Sequence, residues 1–393
     1  LELQEASVPS IAGIEAEPIT HTEMKQLLDN ARANHPDLLK LNLKGQQLTV
    51  ERRMAADKLK PKLNADYNVL QSDFLTQGPA VPAFEQRLAE LTGAEHAVAV
   101  NSATSALHIA CLALGVSSGS RVWTSPISFV ASANCARYCG ASVDFVDIDP
   151  DSGNMAVDKL RAKLELARQN DTLPQVVIPV HLAGASCDMQ QIHHLAMEFG
   201  FSIIEDASHA VGASYQDEAV GSCRYSDITI FSFHPVKIIT TAEGGMAMTN
   251  NAVVADKMRL LRSHGISRND EQMTEPSHGA WYYQQLQLGF NYRMTDLQAA
   301  LGLSQSRRLL PIIQKRQLLA ANYQRLLNEL PIGLPALDDD NISAWHLYII
   351  RLNDKTKRKA VFDAMRDAGI GVNVHYIPIH TQPYYQQLGF DWG

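Results

Sequence analysis

The chain has 393 residues, of which 46% are hydrophobic and 19% charged, and its formal net charge is −8. This composition is typical of a soluble globular protein of two or three domains, without the basic balance that nucleic acid or an anionic membrane surface requires. No apolar run reaches the roughly 18 residues of a spanning helix, and the acidic N-terminus lacks the basic region of a signal peptide. The five cysteines are predicted to be buried reduced thiols, which fits the cytoplasm.

Residues 1–66 differ in pattern from the rest of the chain. The segment from Ile19 to Lys60 is mostly polar and rich in helix formers, and it contains no cluster of reactive residues. From about Asn64 onward, short apolar strands alternate with amphipathic helices. In chain order they are strand HAVAVNS, helix ATSALHIACLALG, strand RVWTSP, helix SFVASANCARYCG, strand ASVDFVDID, helix VDKLRAKLELARQ, strand PQVVIPVHL, helix MQQIHHLAMEFG, and strands FSIIEDA, DITIFSF and GMAMTN. This alternation predicts an α/β fold with a mainly parallel central sheet flanked by helices.

The C-terminal third has a different pattern. A long helical region runs from Thr295 to Leu330, begins with the capping box Thr295-x-x-Gln298 and is expected to kink or split at Pro311. WHLYIIRL and GVNVHYIPI are predicted strands on either side of the predicted helix KRKAVFDAMRDAG, which indicates a small α+β domain. Because the chain stops at Gly393, soon after the last strand, we expect this domain to be incomplete.

Lys237 lies in the turn-rich segment FSFHPVKIITTAEGG, between two apolar strands. A loop lysine is usually a surface charge. Here Ser232 and His234 precede it, hydroxyls follow it, and Gly244-Gly245 permits close backbone approach. A Schiff-base lysine requires such a polar and partly desolvated pocket, because its amine must be neutral to act as a nucleophile.

Two further features follow strand ends. Asp206 ends the strand FSII-Glu-Asp and either caps the next turn or pairs with a pyridine nitrogen, and His209 is either a structural histidine or a cofactor contact. Ser102, in NSATSA, is an N-cap candidate at a strand-to-helix junction. The same junction predicts an anion site suited to a cofactor phosphate, because free backbone N–H groups, hydroxyls and the helix dipole converge there.

Together, and in this order, these features resemble the sugar-nucleotide aminotransferases of the fold-type I pyridoxal-phosphate (PLP) superfamily. The resemblance extends from about Gln71 to Phe390. It implies a PLP-binding large domain over 67–310, an incomplete small domain over 311–393, and an additional segment over 1–66 without a family counterpart. The segments that carry it are SDFLTQGPAVPAFE (72–85), NSATSALHIACLALG (101–115), TSPISFVASANCARYCGASVDFVDID (124–149), FSFHPVKIITTAEGG (231–245), LRSHGI (261–266) and GFNYRMTDLQAALGLSQ (289–305).

The resemblance implies roles for individual residues. Lys237 forms the Schiff base with the cofactor and shuttles the proton, Asp206 pairs with the pyridine nitrogen, and His209 lies near the ring 3-hydroxyl. His375 and Tyr376, in VNVHYIPIH, match a segment that lies near the sugar nucleotide.

The other cofactor contacts implied by the resemblance come from three further segments and from the segment of Lys237. Thr104 and Ser105 hold the phosphate with help from Ser232, and Phe129 stacks on the ring face. Asn291, in FNYR, reaches the phosphate of the cofactor in a partner subunit, so a homodimer is implied.

The implied reaction is the transfer of an amino group, with glutamate as donor, to a UDP-linked 4-keto-6-deoxy amino sugar, as in pseudaminic acid biosynthesis. A transaminase for another keto sugar nucleotide is the close alternative, and a fused or truncated chain without activity is a second. A PLP-dependent sugar dehydratase of the same fold is disfavoured, because that branch has His in place of the lysine at position 237.

Overall fold

The computed structural model describes residues 75–336 and 341–390. The chain divides into two units, Leu1–Asn64 and Ala65–Gly393, and every described residue belongs to the second. The helical pattern predicted between Ile19 and Lys60 therefore lies outside the described residues. Among the residues that are described, no helix is long and apolar enough to cross a membrane.

A seven-stranded sheet forms the centre of this unit. Its strands are β1 (His96–Val100), β2 (Arg121–Thr124), β3 (Ser142–Phe145), β4 (Val176–Ile178), β5 (Ser202–Asp206), β6 (Ile228–Ser232) and β7 (Gly245–Thr249). Their order across the sheet is β1-β7-β6-β5-β4-β2-β3. β6, β5, β4, β2 and β3 are parallel, and β7 runs antiparallel between β1 and β6. The predicted mainly parallel sheet is confirmed.

Helices cover both faces of the sheet. The helices are α1 (Ala80–Thr92), α2 (Ala103–Ala113), α3 (Ala131–Tyr138), α4 (Val157–Gln169), α5 (Met189–Phe199), α6 (Ala252–Leu261), α7 (Asp296–Ser306), α8 (Leu309–Leu327), α9 (Arg358–Asp367) and α10 (Pro383–Gln386). Strand side chains alternate in direction: Val98 and Val100 pack with α2, α3 and α6, whereas Ala97 and Ala99 pack with α1 and α7 on the other face. α4 and α5 bury their apolar residues against β2, β4 and β5 on that second face. Each fully buried aliphatic side chain contributes roughly 1.5–3 kcal/mol.

The helix boundaries follow local sequence signals. Gly115 takes a left-handed φ of 81° just after α2, as a helix-ending glycine does. The capping box predicted at Thr295 and Gln298 is present at the start of α7. The predicted interruption near Pro311 is also confirmed, because α7 ends at Ser306 and Pro311 lies in the first turn of α8, where a missing N–H costs no helical hydrogen bond.

The remaining strands are short. Ser214–Tyr215 pairs with Glu218–Ala219 and with Asn341–Ile342, Ile332–Gly333 pairs with Arg351–Leu352, and Ile266–Ser267 pairs with Gln284–Gln285. The predicted helix KRKAVFDAMRDAG is confirmed as α9.

Two strands predicted in the C-terminal region are wrong. Of WHLYIIRL (345–352), only Arg351–Leu352 is a strand, and GVNVHYIPI (371–379) forms no strand and ends in the 3₁₀ turn Ile379–Thr381. At Leu347 the backbone N–H donates to the Ala183 carbonyl in a loop over 3.2 Å, and only the last two residues of this segment pair with another strand. Alternating apolar residues alone do not make a strand, because a strand also requires a neighbour to pair with.

Candidate active site

Three chain segments meet at the carboxyl edge of the sheet. β5 ends at Asp206, β6 ends at Ser232, and the end of β1 leads into α2 through the cap residue Ser102. β1, β5 and β6 run in the same direction, so their carboxyl ends lie at one edge, where α/β sheets bind their ligands.

Lys237 lies in the turn that follows β6. Its backbone N–H donates to the His234 carbonyl over 2.9 Å, which fixes the turn. Burial lowers the pKa of the partly buried Lys237 amine to about 8, and the attraction of Asp206 opposes this shift. The amine has no hydrogen-bond or ion-pair partner within the described part of the chain. A partly desolvated and unpaired amine is the state in which lysine acts as a nucleophile or base.

Asp206 is 4% exposed at the end of β5. Its Oδ2 accepts a hydrogen bond from the Ser132 hydroxyl, and its Oδ1 accepts from the Ser208 hydroxyl, both over 2.6 Å. The Ser208 N–H donates to the same Oδ1 over 3.2 Å. The carboxylate is therefore fixed in orientation and lies within electrostatic range of Lys237.

His209 is buried beside this pair. Its Nε2 lies 3.1 Å from the Tyr376 hydroxyl, and its ring centroid lies 4.4 Å from that of His346. Its Nδ1 is buried and has no hydrogen-bond partner among the described residues. Burial, together with the nearby charge of Lys237, holds the pKa of His209 well below its usual value, so the ring is neutral.

The start of α2 forms an anion cradle. The Ser102 hydroxyl accepts from the Ser105 N–H over 3.1 Å, and the Ser105 hydroxyl donates to Oδ1 of Asn101 over 2.7 Å. Ser105 is thus part of the cap itself, whereas the Thr104 side chain has no hydrogen-bond partner among the described residues. Free N–H groups and the helix dipole make this end of the helix suitable for a phosphate.

Gly245 joins this cradle to β6. It pairs with Ser232, the last residue of β6, so that Ser232 lies next to the start of α2. A side chain at position 245 would bring its Cβ within 2.6 Å of the backbone of Ser102 and Ala103. The close approach of β7 to α2 therefore requires glycine at this position.

Phe129, His375 and Tyr376 lie on the open side of the site. Phe129 is 59% exposed, although it is a large apolar residue, and its ring centroid lies 6.4 Å from that of Tyr376. Burial and the charge of Asp206 raise the pKa of Tyr376 to about 12. Burial and the charge of Lys237 lower the pKa of His375. The structure brings all three residues together with Lys237 and His209.

Asn291 is placed at the rim and not inside the site of its own chain. It is exposed, its backbone pairs with Ser263, and its carbonyl accepts from the Asn101 side chain over 3.4 Å. The contact implied for Asn291 involves a second copy of the chain, so it stays a prediction.

Three residues of the site were not predicted from the sequence: His346, Ser132 and Ser208. His346 falls in a segment predicted as strand, and burial, together with the charges of Lys237 and Arg316, lowers its pKa to about 3. Its Nδ1 is buried and unpartnered within the described residues. Ser132 lies in a predicted helix, 74 residues before its acceptor Asp206, and nothing in the sequence marks it. Ser208, two residues after Asp206, had a local signal, since an Asp side chain often accepts from the backbone N–H two residues on, as Asp206 does here.

The donor set fits PLP. A partly buried amine suits its aldehyde carbon, a buried carboxylate suits its pyridine nitrogen, and the start of α2 suits its phosphate. The unpartnered Nδ1 of His209 suits the ring hydroxyl. Among the described residues, no group of three or more His, Cys, Asp or Glu side chains could hold a metal ion. All five cysteines are free, four are buried as predicted, and Cys139 is partly exposed.

Comparisons with known proteins agree with this geometry. Residues 59–391 match the model of the DegT/DnrJ/EryC1/StrS aminotransferase family, and the match begins inside the segment 1–66. The spore coat polysaccharide biosynthesis protein SpsC of Bacillus subtilis is 40% identical over 328 residues, 82% of each chain. The UDP-4-amino-4,6-dideoxy-N-acetyl-beta-L-altrosamine transaminase of Campylobacter jejuni is 39% identical over 322 residues, 81% of each chain.

Solved structures show the same fold. PseC of Helicobacter pylori, an aminotransferase of pseudaminic acid biosynthesis, superposes with a TM-score of 0.76 at 34% identity over 85% of this chain and 86% of its own. The putative sugar aminotransferase Spr1654 of Streptococcus pneumoniae, in its PLP form, gives 0.75 at 29% identity over 84% and 86%. The predicted family and the fold-type I architecture are confirmed. This chain therefore belongs to the DegT/DnrJ/EryC1/StrS aminotransferase family and is a sugar aminotransferase that uses PLP.

Proposed function

We propose that the protein transfers the amino group of glutamate to the keto carbon of a UDP-linked 4-keto-6-deoxy amino sugar, as in pseudaminic acid biosynthesis. One observation carries the catalytic part of this proposal: the unpaired, partly buried amine of Lys237 lies within electrostatic range of the buried carboxylate of Asp206. The substrate part is supported by the activities for which the Campylobacter jejuni transaminase and PseC are named.

Lys237 is the proposed catalytic residue. Its amine would hold the cofactor and, when not so engaged, would take up and return the proton at the reacting carbon. A pKa near 8 suits both tasks, because a general base works best when its pKa lies near the working pH. PLP, when bound, delocalises the electron pair that remains on the substrate carbon after the proton has left.

Asp206 and His209 orient the ring in this proposal. The buried carboxylate of Asp206 would favour positive charge on the pyridine nitrogen, and its hydrogen bonds from Ser132 and Ser208 keep it in place. The neutral ring of His209, steadied by Tyr376, presents Nδ1 to the ring oxygen.

The phosphate lies at the start of α2. Thr104 offers its free hydroxyl, Ser105 builds the cap that orients the N–H groups, and Ser232 approaches from the end of β6. Asn291 from a second copy completes the phosphate site, so that the functional unit is a homodimer. This arrangement is supported by the exposure of Asn291 at the rim.

The substrate binds on the open side. Phe129 covers one face of the ring, which explains why so large an apolar side chain is left exposed in this chain. His375 and Tyr376 contact the sugar nucleotide from the C-terminal region. We assign cofactor binding to residues 67–310 and this substrate-facing part to residues 311–393, and we place the enzyme in the cytoplasm, where sugar nucleotides are made.

A second candidate substrate is another keto sugar nucleotide. The relative SpsC, 40% identical, is named for spore coat polysaccharide and not for pseudaminic acid. The aminotransferase chemistry is the same in both cases, and only the recognition of the sugar differs.

The test combines the protein with PLP, glutamate and a panel of UDP- and dTDP-linked 3-keto and 4-keto sugars, and identifies the amino-sugar product by mass spectrometry and NMR. We expect the largest kcat/KM for the UDP-linked 4-keto-6-deoxy amino sugar and the release of 2-oxoglutarate. A preference for a dTDP-linked or 3-keto sugar contradicts the proposed substrate, and absence of any amino sugar contradicts the proposed function of this chain. Alanine and glutamine in place of glutamate test the donor separately.

A further inference from the structure

Serine side chains hold both oxygens of the Asp206 carboxylate. Ser132 is 0% exposed in the first turn of α3 and donates to Oδ2 over 2.6 Å. Ser208, just after β5, donates to Oδ1 through its hydroxyl over 2.6 Å and through its backbone N–H over 3.2 Å. Two chain segments therefore fix one carboxylate from different directions.

The hydrogen-bond count shows which oxygen remains available. An ionised carboxylate has about four acceptor positions, two on each oxygen. Both positions of Oδ1 are filled by Ser208, whereas Ser132 fills only one position of Oδ2. A further donor, such as a protonated ring nitrogen, is therefore received by Oδ2.

Ser128 extends the contact by one hydroxyl. Its Oγ lies 2.8 Å from the Oγ of Ser132, a geometry in which either atom is a possible donor. Ser132 has a single hydroxyl proton, and its acceptors are Oδ2 of Asp206 at 2.6 Å and, much farther, the Phe129 carbonyl at 3.3 Å. The Ser132 proton therefore goes to Asp206, and Ser128 donates to Ser132. Both hydroxyls are buried, so each bond polarises and strengthens the next.

We infer that Ser132 is a positioning residue for the cofactor, because it holds the Asp206 oxygen that receives the pyridine nitrogen. This inference rests on the proposed role of Asp206. Without the Ser132 hydroxyl, Oδ2 loses its one donor among the described residues, and the carboxylate is held through Oδ1 alone, so that the oxygen facing the ring nitrogen is no longer fixed from its own side. Loss of the Ser208 hydroxyl is different, because the Ser208 N–H still holds Oδ1.

The experiment uses holoenzyme loaded with PLP that carries ¹⁵N in the ring. The ¹⁵N NMR shift reports the hydrogen bonding of the ring nitrogen, and equilibrium dialysis gives the dissociation constant of the cofactor. For Ser132→Ala we expect a displaced ¹⁵N signal and roughly 10- to 100-fold weaker cofactor binding. This magnitude is the one found when a residue that hydrogen-bonds a metal ligand is removed. We also expect kcat to fall by a larger factor than KM changes. Ser132→Thr keeps the hydroxyl and should restore the signal, and Ser208→Ala should displace it less.

Ser306→Ala is the matched control. Ser306 is 2% exposed in α7, and its hydroxyl donates to the Leu303 carbonyl over 2.8 Å, away from the site. This variant removes a buried hydroxyl as Ser132→Ala does, so its melting temperature should fall while its ¹⁵N signal and cofactor affinity stay at the wild-type values. A purely structural Ser132 would behave in the same way, and that result overturns the inference. Equal effects of Ser132→Ala and Ser208→Ala overturn it as well.

Two further variants keep the test decisive. If Ser132→Ala does not fold, Ser128→Ala is used instead, because it removes the hydroxyl that donates to Ser132. This variant should displace the ¹⁵N signal in the same direction by a smaller amount. An unchanged signal overturns the inference. Asp206→Asn distinguishes a failure of the proposed role of Asp206 from a failure of the inference about Ser132. If it leaves the signal and the affinity unchanged, the proposed role of Asp206 fails, whereas a response to Asp206→Asn without one to Ser132→Ala overturns the inference alone.

Discussion

The two sides of the site are held in different ways. The groups proposed to act on the cofactor stand at the ends of sheet strands or in the turn that follows one: Asp206 ends β5, Ser232 ends β6, and Lys237 lies in the turn after β6. The groups proposed for the substrate side, His375 and Tyr376, lie in irregular segments, and so does His346, which packs against His209 beside them. Groups that require a fixed geometry for chemistry are thus anchored in the sheet, and groups that recognise the sugar lie on segments in which a change does not disturb it.

The irregular side is nevertheless held in place. Trp345 has a left-handed φ of 46°, which is rare for a residue other than glycine, and its carbonyl accepts from Arg316 of α8 over 2.7 Å. The neighbouring Ala344 N–H donates to the Gly184 carbonyl over 2.9 Å. Backbone strain of this kind persists where several contacts enforce it, and here it turns His346 towards His209.

The largest effect is expected for Lys237→Arg on the cofactor side. A guanidinium can neither form the covalent link nor lose its proton at working pH, so kcat should fall by at least about 10²–10⁴-fold while the protein stays folded. Steady-state kinetics together with the visible absorption of the bound cofactor check this. Turnover at the wild-type rate would remove the proposed role of Lys237.

Gly245→Ala tests how tightly the cofactor side is built. The added Cβ overlaps the backbone at the start of α2, so we expect cofactor affinity to fall about 10- to 100-fold, from roughly 1–3 kcal/mol of overpacking. The matched control is Gly302→Ala, whose Cβ would lie 2.5 Å from the Phe84 ring in the core. That variant should lose stability in thermal denaturation without weaker cofactor binding, and weaker binding in both variants would contradict the local role of Gly245.

The pH dependence sharpens the assignment of Lys237 as base. Its folded pKa of about 8 lies below its usual value, so the neutral amine becomes available as the pH rises through about 8. In the half-reaction that starts with the Lys237 amine not bound to the cofactor, we expect the rate to fall about tenfold for each pH unit below about 8. Rapid-mixing absorbance over pH 6–9 measures it, and a rate that stays flat across this range argues against Lys237 as the base.

His346→Asn should have the smallest effect and should act on the substrate side. Loss of one neutral hydrogen-bonding group there should raise KM for the sugar nucleotide about two- to tenfold, with little change in kcat or in cofactor affinity. Steady-state kinetics with the sugar nucleotide varied separate these parameters. If kcat falls and KM does not change, His346 belongs to the cofactor side and the division drawn between the two sides is wrong.

The cofactor side was largely predictable from sequence because its signals are local. Strand ends, a capping serine and a lysine among hydroxyls and glycines placed Asp206, Ser102 and Lys237 at one sheet edge. Side chains alternate along a strand, so Asp206 and its neighbour Glu205 point to opposite faces of the sheet. Oε2 of Glu205 lies 2.7 Å from Nε2 of the buried His181. Asp206 was chosen as the last residue of the strand and by the resemblance, whereas the apolar pattern by itself does not show which of the two acids faces the site.

The substrate side was less predictable because its contacts are distant along the chain. His346 contacts His209 through a loop that the apolar pattern of WHLYIIRL presents as a strand, and the alternation in GVNVHYIPI again predicted a strand that is not formed. Apolar alternation reports burial on one face and not the presence of a pairing partner. Ser132 was missed for a related reason, since a serine in a helical pattern carries no sign of an acceptor 74 residues away.

Reductive trapping tests the central claim most directly. The holoenzyme is treated with borohydride, which fixes the cofactor to the amine that holds it, and the digested protein is mapped by mass spectrometry. We expect the reduced cofactor on one lysine, Lys237. When glutamate is added before the reductant, we expect this modification to be lost. Modification of another lysine, or no modification in an active enzyme, would contradict the account.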